Sequence, residues 1–130
     1  MPEEKRESQP KILPSSMRPK SRYIVFEIIS ENPVIEYKDF VDALWTSLLN
    51  LVGELGASET QLRVIKNLYD EKMQRGILKC KNDVIELVRA SMTTIIMIGE
   101  SRSIVKITGV TGTIKTATNK YLGMRDLRSF

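Results

Sequence analysis

The run from Arg22 to Ser30, Arg-Tyr-Ile-Val-Phe-Glu-Ile-Ile-Ser, constrains the fold more than any other stretch of this chain. It is rich in β-branched and aromatic residues, and its apolar side chains fall at both odd and even positions. Successive side chains of an extended strand point to opposite faces, so a strand apolar on both faces must be covered on both. Residues 22–30 are therefore read as the central strand of a sheet, ended by Asn32-Pro33.

The segments that follow supply what such a strand needs. Over residues 37–55, Phe40, Val41, Leu44, Trp45, Leu48, Leu49, Val52 and Leu55 recur at three-four spacing, which predicts an amphipathic helix with Gly56 as its stop. Residues 62–70 read as a second strand and 76–82 as a third, joined by a polar turn from Asp70 to Gly76. Asn82 or Asp83 is positioned to cap a second helix over 83–98, ended by Gly99. Residues 103–108 read as a fourth strand, Gly109 to Gly112 as a loop, and 113–122 as a last short helix. The order β-α-β-β-α-β with right-handed crossovers gives a ferredoxin-like, RRM-like α+β plait. Its antiparallel sheet has the helices on one face, with a C-terminal helix added. Such a plait serves many unrelated functions, so the fold alone does not fix the activity.

One domain of this kind spans residues 22–130 and accounts for the chain's 130 residues. Residues 1–21 read as an extended or disordered arm, punctuated by Pro2, Pro10, Pro14 and Pro19. The charge is uneven. Residues 1–22 carry six Lys or Arg against three Glu, and residues 101–130 carry six against one Asp, while the middle carries eight against twelve acidic residues. Basic ends around an acidic middle suit a polyanion such as a phosphate chain, or serve solubility alone. The single cysteine, Cys80, cannot pair internally and is read as a small apolar filler in a strand. Its solitude, with no signal peptide and no membrane-length apolar stretch, points to a cytoplasmic protein.

The chemistry on offer is narrow. There is no histidine, which removes the commonest general base, the commonest metal ligand and every Ser-His or Cys-His nucleophile pair. No Cys/His cluster, Walker A loop or Rossmann fingerprint is present. The acidic pairs Asp39–Asp42 and Asp83–Glu86 fall at helix starts, and Asp70–Glu71 falls in a turn, so none reads as a metal site. Neither a catalytic residue nor a metal ligand is assigned. The segment Gly109-Val-Thr-Gly-Thr-Ile-Lys115 has two readings. It is a flexible turn with Thr111 or Thr113 capping the last helix, or a glycine turn that meets a phosphate together with Lys115. The third strand carries no aromatic residue, and Tyr23 and Phe26 lie on opposite faces of the first. Base stacking is thus unsupported, and any RNA contact falls to Lys and Arg on the backbone. Trp45 belongs to a core stripe.

Three blocks carry a resemblance. The first is Leu13-Pro14, Met17-Arg18, Lys20 and Arg22-Tyr23. The second is Trp45, Leu48-Leu49-Asn50 and the run Gly53 to Ser58. The third is Gly109 to Lys115. In order and spacing, over residues 12–122, the chain resembles the small ribonuclease P/MRP subunit family, whose archaeal members are ribonuclease P protein component 2. The resemblance implies a non-catalytic subunit of an endoribonuclease that removes the 5′ leader from precursor tRNA. In such a particle the RNA performs the hydrolysis with its own magnesium, and this chain holds no cofactor. The implied partners are ribonuclease P RNA, ribonuclease P protein component 3, with self-association into a heterotetramer, and the other ribonuclease P proteins. Precursor tRNA would be met only indirectly. The RNA contacts expected are Arg18, Lys20 and Arg22 from the arm and Gly112, Lys115 and Lys120 from the C-terminal region, with Arg102 and Lys106 as further candidates. The alternative is a protein-bridging scaffold with little RNA contact.

Overall fold

The computed structural model of the chain describes residues 20–32 and 35–122, with side chains to Lys120. The elements run β1 (Ser21–Ser30), α1 (Tyr37–Glu59), β2 (Arg63–Val64), β3 (Arg75–Lys81), α2 (Ile85–Thr93), β4 (Met97–Ile98), β5 (Ser101–Thr111) and α3 (Ile114–Ala117). A wider, π-type turn continues α3 over Thr118–Leu122. The sheet order is β2-β3-β1-β5-β4, with every neighbouring pair antiparallel. Leaving out β4, this is the ferredoxin-like plait.

β1 is central, as its two-sided apolar pattern requires. Ile24, Phe26 and Ile28 face α1 and α2, where they join Phe40, Leu44 and Leu48 of α1, Val88 and Met92 of α2, Leu78 and Cys80 of β3, and Val105 of β5. Phe40, Leu44 and Leu48 are fully buried, and each contributes roughly 1.5–3 kcal/mol of transfer free energy. On the other face of the sheet, Val25 and Ile77 are buried with Ala117 of α3, and Tyr23, Ile65 and Leu68 pack around them. The C-terminal helix is thus the second cover that an apolar β1 demanded.

Several boundaries differ from those read in the sequence. α1 does not stop at Gly56. It breaks at Gly53, whose φ of 78° an L side chain adopts only at a cost, and runs on to Glu59. The change of direction rotates the stripe, so that Leu55 is 75% exposed and Ala57 is buried instead. The second strand is only two residues long rather than nine. After Val64 the chain makes a 3₁₀ turn at Lys66–Leu68, and the Tyr69 hydroxyl donates to the carbonyl of Ile35 at 2.6 Å. The Tyr69 ring lies 6.2 Å from that of Phe40, so filling the core has displaced the ladder here.

Neither Asn82 nor Asp83 caps α2. Val84 stands at that position without a side-chain cap. The helix ends at Thr93, where the hydroxyls of Thr93 and Thr94 turn back to the carbonyls of Ala90 and Ser91. Residues 97 and 98 leave the helix altogether to form β4, a hairpin with β5 through Gly99-Glu100. Gly99, at φ 60°, supplies the positive dihedral that so tight a hairpin needs. β5 is longer than the six residues read, because Gly109 pairs with Val25 inside the strand instead of opening a loop. The register shifts between Val25 and Phe26, which face Gly109 and Ile107, and this leaves Thr108 as the extra residue of a β-bulge.

Candidate nucleic-acid interface

Strand pairing brings the two ends of the domain together. β1 enters the sheet with Ser21 opposite Lys81 and Tyr23 opposite Lys79 on one side. On its other side Tyr23 faces Thr111, the last residue of β5. The amide of Asn82 donates to the carbonyl of Lys20 at 2.7 Å and ties the start of the domain to the end of β3. The Arg22 guanidinium lies 3.6 Å from where a Cβ on Gly112 would stand. Lys20, Arg22 and Gly112 therefore sit at one end of the sheet. Lys115, the second residue of α3, follows Gly112 by three positions and is exposed.

The turn from β5 into α3 is built by threonines. Thr111 Oγ1 donates to the carbonyl of Thr113 at 2.9 Å, and Thr113 Oγ1 accepts from the amide of Thr116 at 3.1 Å. Of the two capping residues considered, Thr113 is the cap. This engages one of the first amides of α3 internally.

The remaining candidates lie elsewhere. Lys106 is five residues and Arg102 nine residues before Thr111, so they stand roughly 17 and 30 Å along β5. Lys106 faces Glu27 across the β1–β5 pair, and Arg102 faces Met97 of the hairpin. Lys120 is exposed on the final turn. Arg18 and the rest of the 1–21 arm before Lys20 lie outside the described residues. Three cations not singled out in the sequence share the convergent end: Arg63, Lys79 and Lys81, with Arg63 opposite Lys79. The signal available was the alternation Lys79-Cys80-Lys81, which puts both lysines on the face away from the buried thiol.

No base-stacking platform faces outward on β1 or β3. Phe26 is buried in the helix-side core, while Tyr23 packs on the opposite face against the cluster under α3. Trp45 is half-buried against the main core, as its place in the stripe predicts. Cys80 is 1% exposed, and burial pushes its thiol up to about 11. Burial, then the nearby charges of Glu71 and Asp39, hold the Tyr69 phenol well above its ordinary range. Asp70 serves its turn, accepting from the amides of Lys72 and Met73. Among the described residues no group of three acidic or sulfur ligands could hold a metal, and no helix is long and apolar enough to cross a membrane.

At the far end of the molecule, α1 and the β4 hairpin enclose an open groove of about 580 Å³. Leu51, Ile95, Ile96 and Met97 line it, with Asp39 and Asp42 on its wall. Ile96 is 72% exposed.

The sheet order and the helices packed on it define a class: a small α+β protein of the ferredoxin-like plait, with several cations at the end where both ends of the domain meet. The comparisons with known proteins narrow that class. Residues 22–122 match the model of the Rpp14/Pop5 family, and the chain belongs to that family. It is 38% identical over 114 residues to ribonuclease P protein component 2 of Pyrococcus furiosus, covering 88% of this chain and 92% of that one. It is 40% identical over 112 residues to the component 2 protein of Methanosarcina barkeri, covering 86% and 78%. A chain in the cryo-EM structure of yeast ribonuclease MRP shares the fold, with a TM-score of 0.59 over 87% of this chain and 92% of that one, at 12% identity.

Proposed function

We propose that this chain is a ribonuclease P subunit that binds and stabilises the catalytic RNA, gripping it through the end of the sheet where Lys20, Arg22 and Gly112 converge, and through Lys115 of the helix that follows. The observation that carries the reading is this convergence. Residues ninety positions apart in sequence are brought by β1–β5 pairing to one surface. Phosphates condense counterions, and cations that displace them gain affinity that falls steeply with salt. In this reading the hydrolysis of precursor tRNA and the magnesium it needs belong to the RNA, and this chain, which has no histidine, supplies binding. Component 3 and a second heterodimer complete the assembly, in the cytoplasm.

Reversing Lys115→Glu and Lys120→Glu together is expected to weaken binding of ribonuclease P RNA and to flatten its salt dependence by about one unit of slope per lost contact. Unchanged affinity and slope would remove these contacts. Cleavage of precursor tRNA by the isolated, RNA-free chain with magnesium would overturn the subunit reading.

The second reading, a scaffold that bridges proteins, is favoured by the groove at the opposite end. Its Ile96 and Met97 are exposed beside Asp39 and Asp42, an apolar surface with an acidic border. Aggregation of the pure chain that component 3 cures, seen by size exclusion, would support it. A monodisperse monomer indifferent to component 3 would count against it.

A further inference from the structure

We propose that Arg63, Lys79 and Lys81 form a strip, on the face of the sheet that α3 partly covers, that binds the phosphates of a double-helical RNA segment and adds to the contacts of Lys115 and of Arg22, which lies at the same end of the sheet on its other face. The inference rests on the reading that the chain binds RNA, and adds to it residues and a ligand form.

The argument begins with register. Arg63 stands directly opposite Lys79, and Lys79 and Lys81 are two residues apart on one face of β3. Directly opposed side chains have Cβ atoms about 5 Å apart, and alternate residues of a strand are separated by about 7 Å. Three cations thus fall within a spacing comparable to that of successive phosphates. Like charges directly opposed across a strand pair destabilise it, so this arrangement needs a compensating anion.

Elsewhere on this face the register sets a carboxylate among cations: Glu27 stands between Arg75 of β3 and Lys106 of β5, opposite both. At the strip, by contrast, the β1 residues opposite Lys79 and Lys81 are Tyr23 and Ser21, neither of them acidic. The register supplies a carboxylate to the cations in the middle of the sheet and none to those at the convergent end. Lys79 and Lys81 are half-buried, so their stems lie along the sheet, and Arg63 is exposed.

The strip also selects the form of the ligand. Single strands are held by aromatic platforms on which bases stack. The ring beside Lys79 is that of Tyr23, and it packs against Val25, Ile77 and Ala117. The other β3 residues on this face are Arg75 and the buried Ile77, which offer no ring. A surface with cations and no stacking ring suits a helix read through its backbone.

The test compares binding of a 20-base-pair RNA hairpin and an unstructured single strand of equal length, each over a salt series. It uses the full chain, the triple variant Arg63→Gln, Lys79→Gln, Lys81→Gln, the variant Arg22→Gln with Lys115→Gln, and the control Lys38→Gln, an exposed cation of α1. The triple variant is expected to lose at least tenfold in hairpin affinity and about two to three units of salt slope, and Lys38→Gln to change neither. Without RNA, Lys79→Gln alone is expected to raise the urea midpoint at low salt, because it removes the opposed pair. Urea unfolding of each of the other variants establishes that they fold. A triple variant that binds like the parent, while Arg22→Gln with Lys115→Gln weakens binding, overturns the strip and leaves the RNA reading intact. Loss in neither variant overturns both. Equal affinity and slope for hairpin and single strand overturn the assignment to a helical segment.

Discussion

Replacing Gly76 with alanine separates packing from intrinsic strand preference, because the two predict opposite signs. Glycine in a strand interior is destabilising by roughly 0.5–1 kcal/mol relative to alanine, so with room for a methyl group the variant would be more stable. There is no such room. A Cβ at position 76 would stand 2.8 Å from Cζ and 3.3 Å from Cε2 of Phe26, its direct partner across the β1–β3 pair, and 3.0 Å from Cδ1 of Tyr69. Neither ring is free to retreat. Phe26 is fully buried and stacks on Phe40 with centroids 4.6 Å apart. Tyr69 is pinned by its hydroxyl to Ile35 and meets the edge of Tyr37 at 5.9 Å. Overpacking of this kind costs about 1–3 kcal/mol, and with both rings held it falls towards the upper end. Offset by the strand preference, Gly76→Ala should lose about 1–2.5 kcal/mol. Urea unfolding followed by the fluorescence of Trp45 reads this as a lower midpoint at unchanged slope. Phe26→Leu removes the closest contact, so in the double variant the losses should fall short of additivity by about 1 kcal/mol. A Gly76→Ala protein more stable than its parent, or strictly additive losses, would refute the argument.

Two further predictions concern Cys80 and Gly53. With its folded pKa raised, the Cys80 thiol contributes stability that is fully present below about pH 9 and lost as pH rises towards 11, amounting to roughly 2–3 kcal/mol. Unfolding midpoints measured across that window should fall, and Cys80→Ala should flatten the fall. What remains is assigned to the Tyr69 phenol, which is raised in the same sense. In the native protein at pH 8 the thiol should resist a thiol-specific reagent and react fully in urea. Gly53→Ala meets no neighbour within 4 Å but forces φ of 78° with ψ of 176°, an essentially glycine-only conformation, on a side chain, so it should cost about 1–3 kcal/mol, read by thermal unfolding. No loss there would mean that the kink in α1 is not held.

Where sequence reading succeeded, the signal was periodic and local. The two-faced apolar run of β1 announced a central strand, and the three-four stripe from Phe40 to Leu48 announced the helix that covers it. Where it failed, a tertiary demand overrode a local preference. The run from Leu62 to Tyr69 has strand composition, yet Tyr69 leaves the ladder to fill the space beside Phe26 and Phe40. Residues 94–98 continue an apolar pattern compatible with helix. Their β-branched side chains and the positive φ available at Gly99 nonetheless favour a hairpin on the free edge of β5. The expected phosphate contacts were chosen by charge near the chain ends, a criterion that carries no distances, and the strands spread them, with Arg102 some 30 Å along β5 from Thr111.

The amino-acid sequence determined by itself the plait, its central strand, the absence of histidine chemistry and the basic character of both ends, because each is a matter of pattern or composition along the chain. Only the tertiary structure decided which cations share a surface. Strand register sets Arg22 against Gly112 and Arg63 against Lys79, and sets Glu27 between Arg75 and Lys106. Register is a property of pairs of strands, fixed by the packing of their inward faces, and a single stretch of sequence does not contain it.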